Sequence, residues 1–344
     1  MSARPLIPLL LLAALLAAVL LAIRGAIGAY RPAAMTEVAL GGEDAAAPPA
    51  GDSLRILSWN IGFASMSAEA DFFADGGRGL RAPSRAMVER NVAAIGELLR
   101  FEAPDIVLAQ ELAGASWLTH GVDVLGDLRT RLKEYRLAFA PTVEVAPLPA
   151  IGGLTVGSGT LGRVAVAGAT RHQLPSKPLP LGVTLQHFNA LETRLPISGR
   201  AKEWVIFEVH LAAFDDGSLR RKQLERVLWL MEREFAAGNH VIAGGDWNLR
   251  LAATDFPYTT AEKAKFWVRD FPADLTPAGW RWAVDATVPT CRTLERPYRP
   301  GVNYTCVIDG FLVSPNVEVA SVETIDLAFT HSDHNPVRLA VRAK

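Results

Sequence analysis

"HVIAGGDWN", His240 to Asn248, is a short apolar run that ends in two glycines, an acid, a tryptophan and an amide. A run of that length closed by turn residues suits a buried strand, so Asp246 and Asn248 stand where the chain leaves the core. The same pattern recurs on both sides. "LRILSWNIG" (54–62) leads to Asn60, "DIVLAQE" (105–111) to Glu111 and "EWVIFEVH" (203–210) to His210. "CVIDGFLVSP" (306–315) sets Asp309 inside a strand-like run, where an ionised carboxylate is costly without a partner. "FTHSDHNPV" (329–337) gathers His331, Asp333 and His334 ahead of a proline that stops any helix. Strand ends along one sheet edge converge in space, so these segments can line one pocket.

Singly, each residue has a plain structural use: Asn60 caps a turn, Glu111 is a surface acid, His210 a satisfied core histidine, Asp333 and His334 a solvated loop tip. Taken together, the ordered set argues against all of those readings at once. Helical stretches lie between the runs. Ser84 can cap a helix whose apolar positions include Met87, Val88, Val92, Ile95 and Leu99, ended by Pro104. Ser218 to Ala237 reads as an amphipathic helix stopped by Gly238.

With 344 residues and 50% hydrophobic content, the chain can bury a large core. Lys+Arg 35 against Asp+Glu 36 leaves a net charge of −1, which offers no broad attraction for nucleic acid. The N-terminus departs from this average. "PLIPLLLLAALLAAVLLAI" (5–23) carries no charge and is close to the span of a hydrocarbon core, so residues 1–32 read as an uncleaved membrane anchor or, with "AIGAY" as a cleavage site, a signal segment. Either takes the remainder to or across a membrane; the flanking Arg4, Arg24 and Arg31 do not fix the orientation, and the folded domain is expected outside the cytoplasm. Residues 33–53, rich in Ala, Gly, Pro and acids, read as a flexible linker, and the folded domain as 54–344. Cys291 and Cys306 flank "RTLERPYRPGVNYT", a hairpin-like turn that a disulfide would close in an exported protein.

Glu, Asp and Asn are hard oxygen donors suited to Mg²⁺, with Mn²⁺ or Ca²⁺ as substitutes. Carboxylates around one hard cation with two histidines nearby suit attack of water on a phosphate ester. A Gly-x-Ser-x-Gly elbow is missing, since "VGSGT" (156–160) lacks the spacing, and so is a Gly-Lys-Ser/Thr phosphate loop.

The ordered series "SWNIG", "LAQEL", "VHLAAF", "GGDWNL", "VIDGFLVSP" and "SDHNPV" resembles the endonuclease/exonuclease/phosphatase superfamily, the deoxyribonuclease I-like fold; "RRKQLERV" (220–227) is similar to the start of a family helix. The resemblance implies a four-layered α/β sandwich, two packed mixed β-sheets flanked by helices, here preceded by the N-terminal transmembrane or signal helix. It implies that Asn60 and Glu111 hold the divalent metal with Asp333 near it, and that Asp246 and Asn248 orient the attacking water and a phosphate oxygen. His334 is implied as general base or transition-state stabiliser held by Asp309, and His210 as hydrogen-bonding the phosphate or protonating the leaving oxygen. His331 remains a loop residue.

The chain also departs from family patterns. Gly62 stands where exonuclease III-type members have an Asp, and His210 where they have an Asn, which disfavours abasic-site repair. "TLGRVAVAGATR" (160–171) supplies no acid to pair with His210 and blurs the family's Gly-x-Ala-x-x-Ser-Arg stretch, in which Arg163 or Arg171 would grip phosphate. The expected activity is a metal-dependent phosphodiesterase or nuclease, acting as a monomer on a phosphate ester of nucleic acid or of a phospholipid headgroup. A phospholipase C or sphingomyelinase-like enzyme at the membrane stands nearly level with it, and a membrane-tethered, non-catalytic binding module is a third reading. Phe256, Tyr258, Phe266, Trp267, Phe271, Trp280 and Trp282 cluster after Asp246, either packing a small core of their own or forming a rim for bases or lipid.

Overall fold

Alternation with a period of two decides which face of each strand is buried, and here the central strands of both sheets are buried on both faces. The computed structural model describes residues 6–42, 47–148, 152–179 and 182–344; the side chains of 6–15 and 17 lie outside that description. Elements are numbered in chain order. Among the described residues, one sheet runs β1 (Met35–Glu37), β7 (Gly168–Gln173), β8 (Asn189–Pro196), β9 (Glu203–His210), β10 (His240–Asp246), β14 (Asp309–Val313) and β11 (Arg281–Ala283). The other runs β15 (Val317–Thr324), β16 (Val337–Ala343), β3 (Ser53–Asn60), β4 (Ile106–Ala113), β6 (Gly152–Gly162), β5 (Arg136–Leu148) and β2 (Leu40–Gly41). Both sheets are mixed, with β9–β10 and β3–β4 parallel and their other neighbours antiparallel.

Ile56, Ile106, Leu108, Ile206, Ile242 and Phe311 interdigitate between the sheets. The alternate residues Leu57, Trp59 and Val107 face α2 (Arg85–Glu102) and α3 (Val124–Arg131), while Val205, Phe207 and Val241 face α4 (Ser218–Ala236). The result is the expected helix–sheet–sheet–helix sandwich. Ser84 caps α2 by accepting from Met87 N at 3.2 Å, and Ala103 ends it in the left-handed region just before Pro104.

Three expectations are modified. The apolar N-terminal stretch is helical, as α1 (Leu6–Ile27), but most of its side chains fall outside the described residues. Among the described residues no helix is long and apolar enough to cross a membrane. The 33–53 linker is in part built into the fold: β1 pairs with β7, β2 with β5, and Ala50 bridges Ile197, while residues 43–46 lie outside the description. Edge pairing uses backbone groups alone, so it leaves no side-chain periodicity to read. Finally, the cysteines are free and buried. Cys291 and Cys306 face one another across the ladder of β12 (Cys291–Arg292) and β13 (Thr305–Cys306). Backbone bonds close this loop, and the thiols pack with Trp267, Tyr304 and Ile308 in a core of their own.

The inter-sheet layer changes character toward one end. Beyond Ile56, Leu108 and Ile206, the same strand faces continue as Ser58, Gln110 and Glu208, all buried. Burial pushes the Glu208 carboxyl up to about 8; Gln110 and Ser158 face it and pull the other way, although neither meets it in full hydrogen-bond geometry. With a folded value above the unfolded one, this group's favourable contribution is fully present below about pH 4.5 and is lost as pH rises toward about 8. Glu208→Gln should therefore stabilise the protein at pH 8 by up to about 3 kcal/mol and flatten the rise in instability between pH 5 and 8. Urea denaturation of both proteins at pH 5, 7 and 9 checks this; parallel profiles would show that Glu208 does not carry the slope.

Candidate active site

Five strands deliver their polar residues to the same end of the sandwich. The parallel register of β9 and β10 sets His210 opposite Asp246, and the antiparallel register of β14 sets Asp309 opposite the same Asp246. On the facing sheet Asn60 ends β3, and a register shift in β4 between Ala109 and Leu112 leaves Glu111 with φ 57°. That bulge turns the Glu111 carboxyl to the pocket instead of continuing the ladder. The loop before β16 brings in Asp333 and His334. It is tied to β3 by Trp59 Nε1 donating to His334 O at 2.9 Å and Ser332 Oγ donating to Asn60 O at 2.7 Å.

His334 Nδ1 lies 2.8 Å from Asp309 Oδ2, and its Nε2 lies 3.7 Å from Asp246 Oδ2. Asp309 is held from behind, because Thr290 Oγ1 accepts from the backbone of both Ile308 and Asp309. Asp246 Oδ1 accepts from Asn248 N at 2.8 Å, and its Oδ2 accepts from Asn60 Nδ2 at 3.1 Å and Asn248 Nδ2 at 3.3 Å. His210 Nε2 sits 3.5 Å from Asp246 and 3.8 Å from Glu111, and Asn60 Nδ2 donates to Glu111 Oε1 at 3.3 Å.

Environment pushes the two histidines apart. Burial disfavours the charged form of His334, but the facing Asp309, Cys291 and Asp246 more than reverse this and hold its pKa well above the usual range. His210 has no such partner at bonding distance; burial and the charge of His334 lower it to about 3, so it is neutral. Glu111 is raised by burial and then by Asp333, and Asp246 by burial and then by Asp309, in each case against the pull of His334. Among the described residues no Lys or Arg forms an ion pair with Glu111, Asp246, Asp309 or Asp333. His334 is their one cationic partner at ion-pair distance among the described residues, and it faces Asp309 and Asp246, which leaves Glu111 and Asp333 as oxygen donors that fit a hard divalent cation. Among the described residues, three groups have donor atoms within 4.8 Å of one another: Asp246, Asp309 and His334.

The structure thus brings together Asn60, Glu111, His210, Asp246, Asn248, Asp309, Asp333 and His334. His331 stays apart; burial lowers it and its Nδ1 has no hydrogen-bond partner. Arg163 pairs with Asp105 at 3.2 Å, and Arg171 donates to Ala33, Gln173 and His187, so neither reaches the cluster. Sequence reasoning missed the supports. Trp59 and Ser332 lie inside two of the quoted motifs, a signal that was there to use; Thr290 lies outside all of them. Of the aromatic cluster, Trp267 and Trp280 are buried, while Tyr258 and Phe266 are exposed. Phe266 stacks on the exposed Phe214, four residues past His210, at 5.7 Å.

The family model described as Endonuclease/Exonuclease/phosphatase family matches residues 57–334. No curated protein matches the chain. Among solved structures, an endonuclease/exonuclease/phosphatase from Beutenbergia cavernae DSM 12333 aligns with TM-score 0.60 at 20% identity, covering 85% of this chain and 72% of that one. TDP2 from D. rerio, complexed with a single strand DNA product, aligns with TM-score 0.53 at 20% identity, covering 85% of this chain and 99% of that one. The human Nocturnin catalytic domain, with bound sulfate anion, aligns with TM-score 0.53 at 16% identity, covering 86% and 96%. Identities this low establish a shared fold and no more. The family match, by contrast, spans the strand ends from Asn60 to His334, and on it the chain belongs to the Endonuclease/Exonuclease/phosphatase family.

Proposed function

We propose that the protein is a divalent-metal-dependent phosphodiesterase of the nuclease type, working as a monomer. The observation that carries this reading is the carboxylate cluster of Glu111, Asp246 and Asp333 beside a histidine pair split into a charged and a neutral ring. Asn60, Glu111 and Asp333 would hold Mg²⁺, with Mn²⁺ or Ca²⁺ as substitutes. When bound, the cation would offset the charge that develops on the phosphate.

The remaining work falls to the chain's own groups. Asp309 fixes the His334 ring by its 2.8 Å contact to Nδ1 and raises its basicity. While the ring is charged, His334 Nε2, beside Asp246, would stabilise the charge that develops on the phosphate; it would take a proton from attacking water only after giving up its own. Asp246, gripped by Asn60 and Asn248, orients that water. Asn248 Nδ2 also donates to Leu211 O at 2.9 Å, which locks the turn that aims Asp246. The neutral His210 can hydrogen-bond a phosphate oxygen or the leaving oxygen.

A second reading, a phospholipase C-like headgroup hydrolase, is favoured by one further observation. The foot of α1 lies on the catalytic edge: Tyr30 packs edge-on against His187 at 5.2 Å, two residues before Asn189 at the start of β8, the strand beside β9. An N-terminal membrane anchor would then hold the catalytic edge near a lipid surface, on the outer side of the membrane.

Turnover of a bis-ester, single-stranded and duplex DNA, RNA and sphingomyelin, with Mg²⁺ and then EDTA, separates these readings. No metal-dependent turnover of any of them would leave a non-catalytic binding module. Glu111→Gln keeps the size and removes the charge, so activity should fall at least about a hundredfold with weakened Mg²⁺ binding. Unchanged kinetics and affinity would sink its assignment as a ligand. For the histidine pair, His334→Ala and Asp309→Ala should each cut turnover by about 10² to 10⁴, and the double variant should be little worse than the poorer single one. Fully multiplicative losses in variants with native circular dichroism would show that the two act independently.

A further inference from the structure

A cavity of about 420 Å³ opens at the foot of α1, lined by Arg24, Tyr30, Arg31, Thr184 and His187, with Leu21 at its helix side. It lies apart from the catalytic cluster but on the same edge of the sandwich. On one sheet the step from His210 to the strand carrying Asn189, and on to Gln173 of β7, is two strands. On the other sheet the step from Leu112, beside Glu111, through Gly157 to Pro141 is also two strands, and Tyr30 donates its hydroxyl to Pro141 O at 3.1 Å. Two strand spacings are about 10 Å.

Cationic groups converge on this cavity without carboxylate partners. Arg31 donates only to Gly28 O, at 2.8 Å, and among the described residues Arg24 has no ion pair. Behind Tyr30 lies Arg171, only 2% exposed, whose guanidinium donates to Ala33 O, Gln173 Oε1 and His187 O while its Nε has no partner. His187 Nε2 is likewise buried and unpartnered. The one acid that bears on Tyr30 is Glu144, set against the nearby Arg171. A buried cation whose partners, carbonyls, an amide and the Tyr30 hydroxyl, are all neutral is expensive unless an anion comes near.

We propose that this cavity is a phosphate-binding pocket, in which Arg24 and Arg31 grip the anion at the mouth and Tyr30 and His187 line its floor. Two guanidiniums, a phenol and an imidazole match a group with several acceptor oxygens and one or two negative charges. The volume admits a phosphate together with an ester substituent. The exposed Leu16, Leu20, Leu21 and Ile23 of α1 lead away from the mouth, so an ester carrying an apolar chain meets an apolar surface on leaving the pocket. The phosphate of a lipid headgroup and free phosphate share the chemistry the pocket reads.

The test is calorimetric binding to the full chain in neutral detergent micelles with EDTA present, so that binding is read without turnover and without a metal at the catalytic cluster. The probes are inorganic phosphate and dihexanoyl phosphatidylglycerol, titrated into wild type and into the Arg24→Ala, Arg31→Ala double variant. Both arginines are exposed, so the variant should melt with the wild type. Affinity for at least one probe should fall about tenfold or more in the variant. Tighter binding of the lipid by wild type identifies a headgroup site, and tighter binding of inorganic phosphate a free-phosphate site. Equal affinities in the two proteins for both probes, or no binding by wild type, would overturn the proposal.

Discussion

The register of β10 is the constraint on which the site depends. Asp246, its last residue, lies opposite His210 on one side and Asp309 on the other, so a single strand end sets the spacing between the two halves of the histidine system. The two glycines before it make that register possible. A Cβ on Gly245, whose φ is 146°, would run into Val209 O of β9, and one on Gly244 would run into the Phe311 ring of β14. Any side chain at either position would push a neighbour away and take His210 or Asp309 with it. The glycine pair is therefore a packing device for the strands.

That convergence is costly, and the layering of the core shows where the cost is carried. Apolar residues fill the space between the sheets until one residue pair short of the strand ends. The polar layer of Ser58, Gln110 and Glu208 then separates that hydrocarbon interior from the catalytic carboxylates. Asp246 and Asp309 are nearly inaccessible to water, and burial pushes the Asp246 carboxyl up to about 7. Against that push, the His334 ring and donors fixed in advance, Asn248 N and Asn60 Nδ2, favour its charged form. A site so arranged is less stable than an apolar equivalent, and it needs no reorganisation when charge moves.

Half of this site was legible because four of its members terminate an apolar run, and the end of a strand is visible in sequence even when its neighbours are not. Asn60, Glu111, His210 and Asp246 all satisfy that rule. What was illegible depended on backbone pairing or on empty space. The edge strands β1 and β2 carry no side-chain pattern, so their segment resembled a tether. The cysteine pair has the cross-strand placement that invites a disulfide, but a ladder and a small aromatic core already close that loop. Gly62 looked like the loss of an acid that other family members place there. With φ 50°, a Cβ at this position would lie 2.8 Å from Asp333 Oδ1. Asp333 already fills that volume, so its carboxylate stands close to where the missing one would have been.

The strapping of residues 35–41 has its own consequence for the catalytic edge. A chain that left α1 through a free tether would let the sandwich tumble relative to the helix. Here β1 adds to one sheet and β2 to the other within a few residues of the helix end, and Tyr30 anchors to β5 just before them. The two sheets are thus clamped to one short segment that starts beside the edge where Asn60, Glu111 and His210 emerge and runs back to β2, which pairs with β5 level with the start of β4. Rotation of the helix foot away from that edge would strain the Tyr30 contacts and the adjoining β1 pairing together. The direction in which the pocket faces, relative to the N-terminal helix, is therefore set by backbone hydrogen bonds and not by the length of a linker.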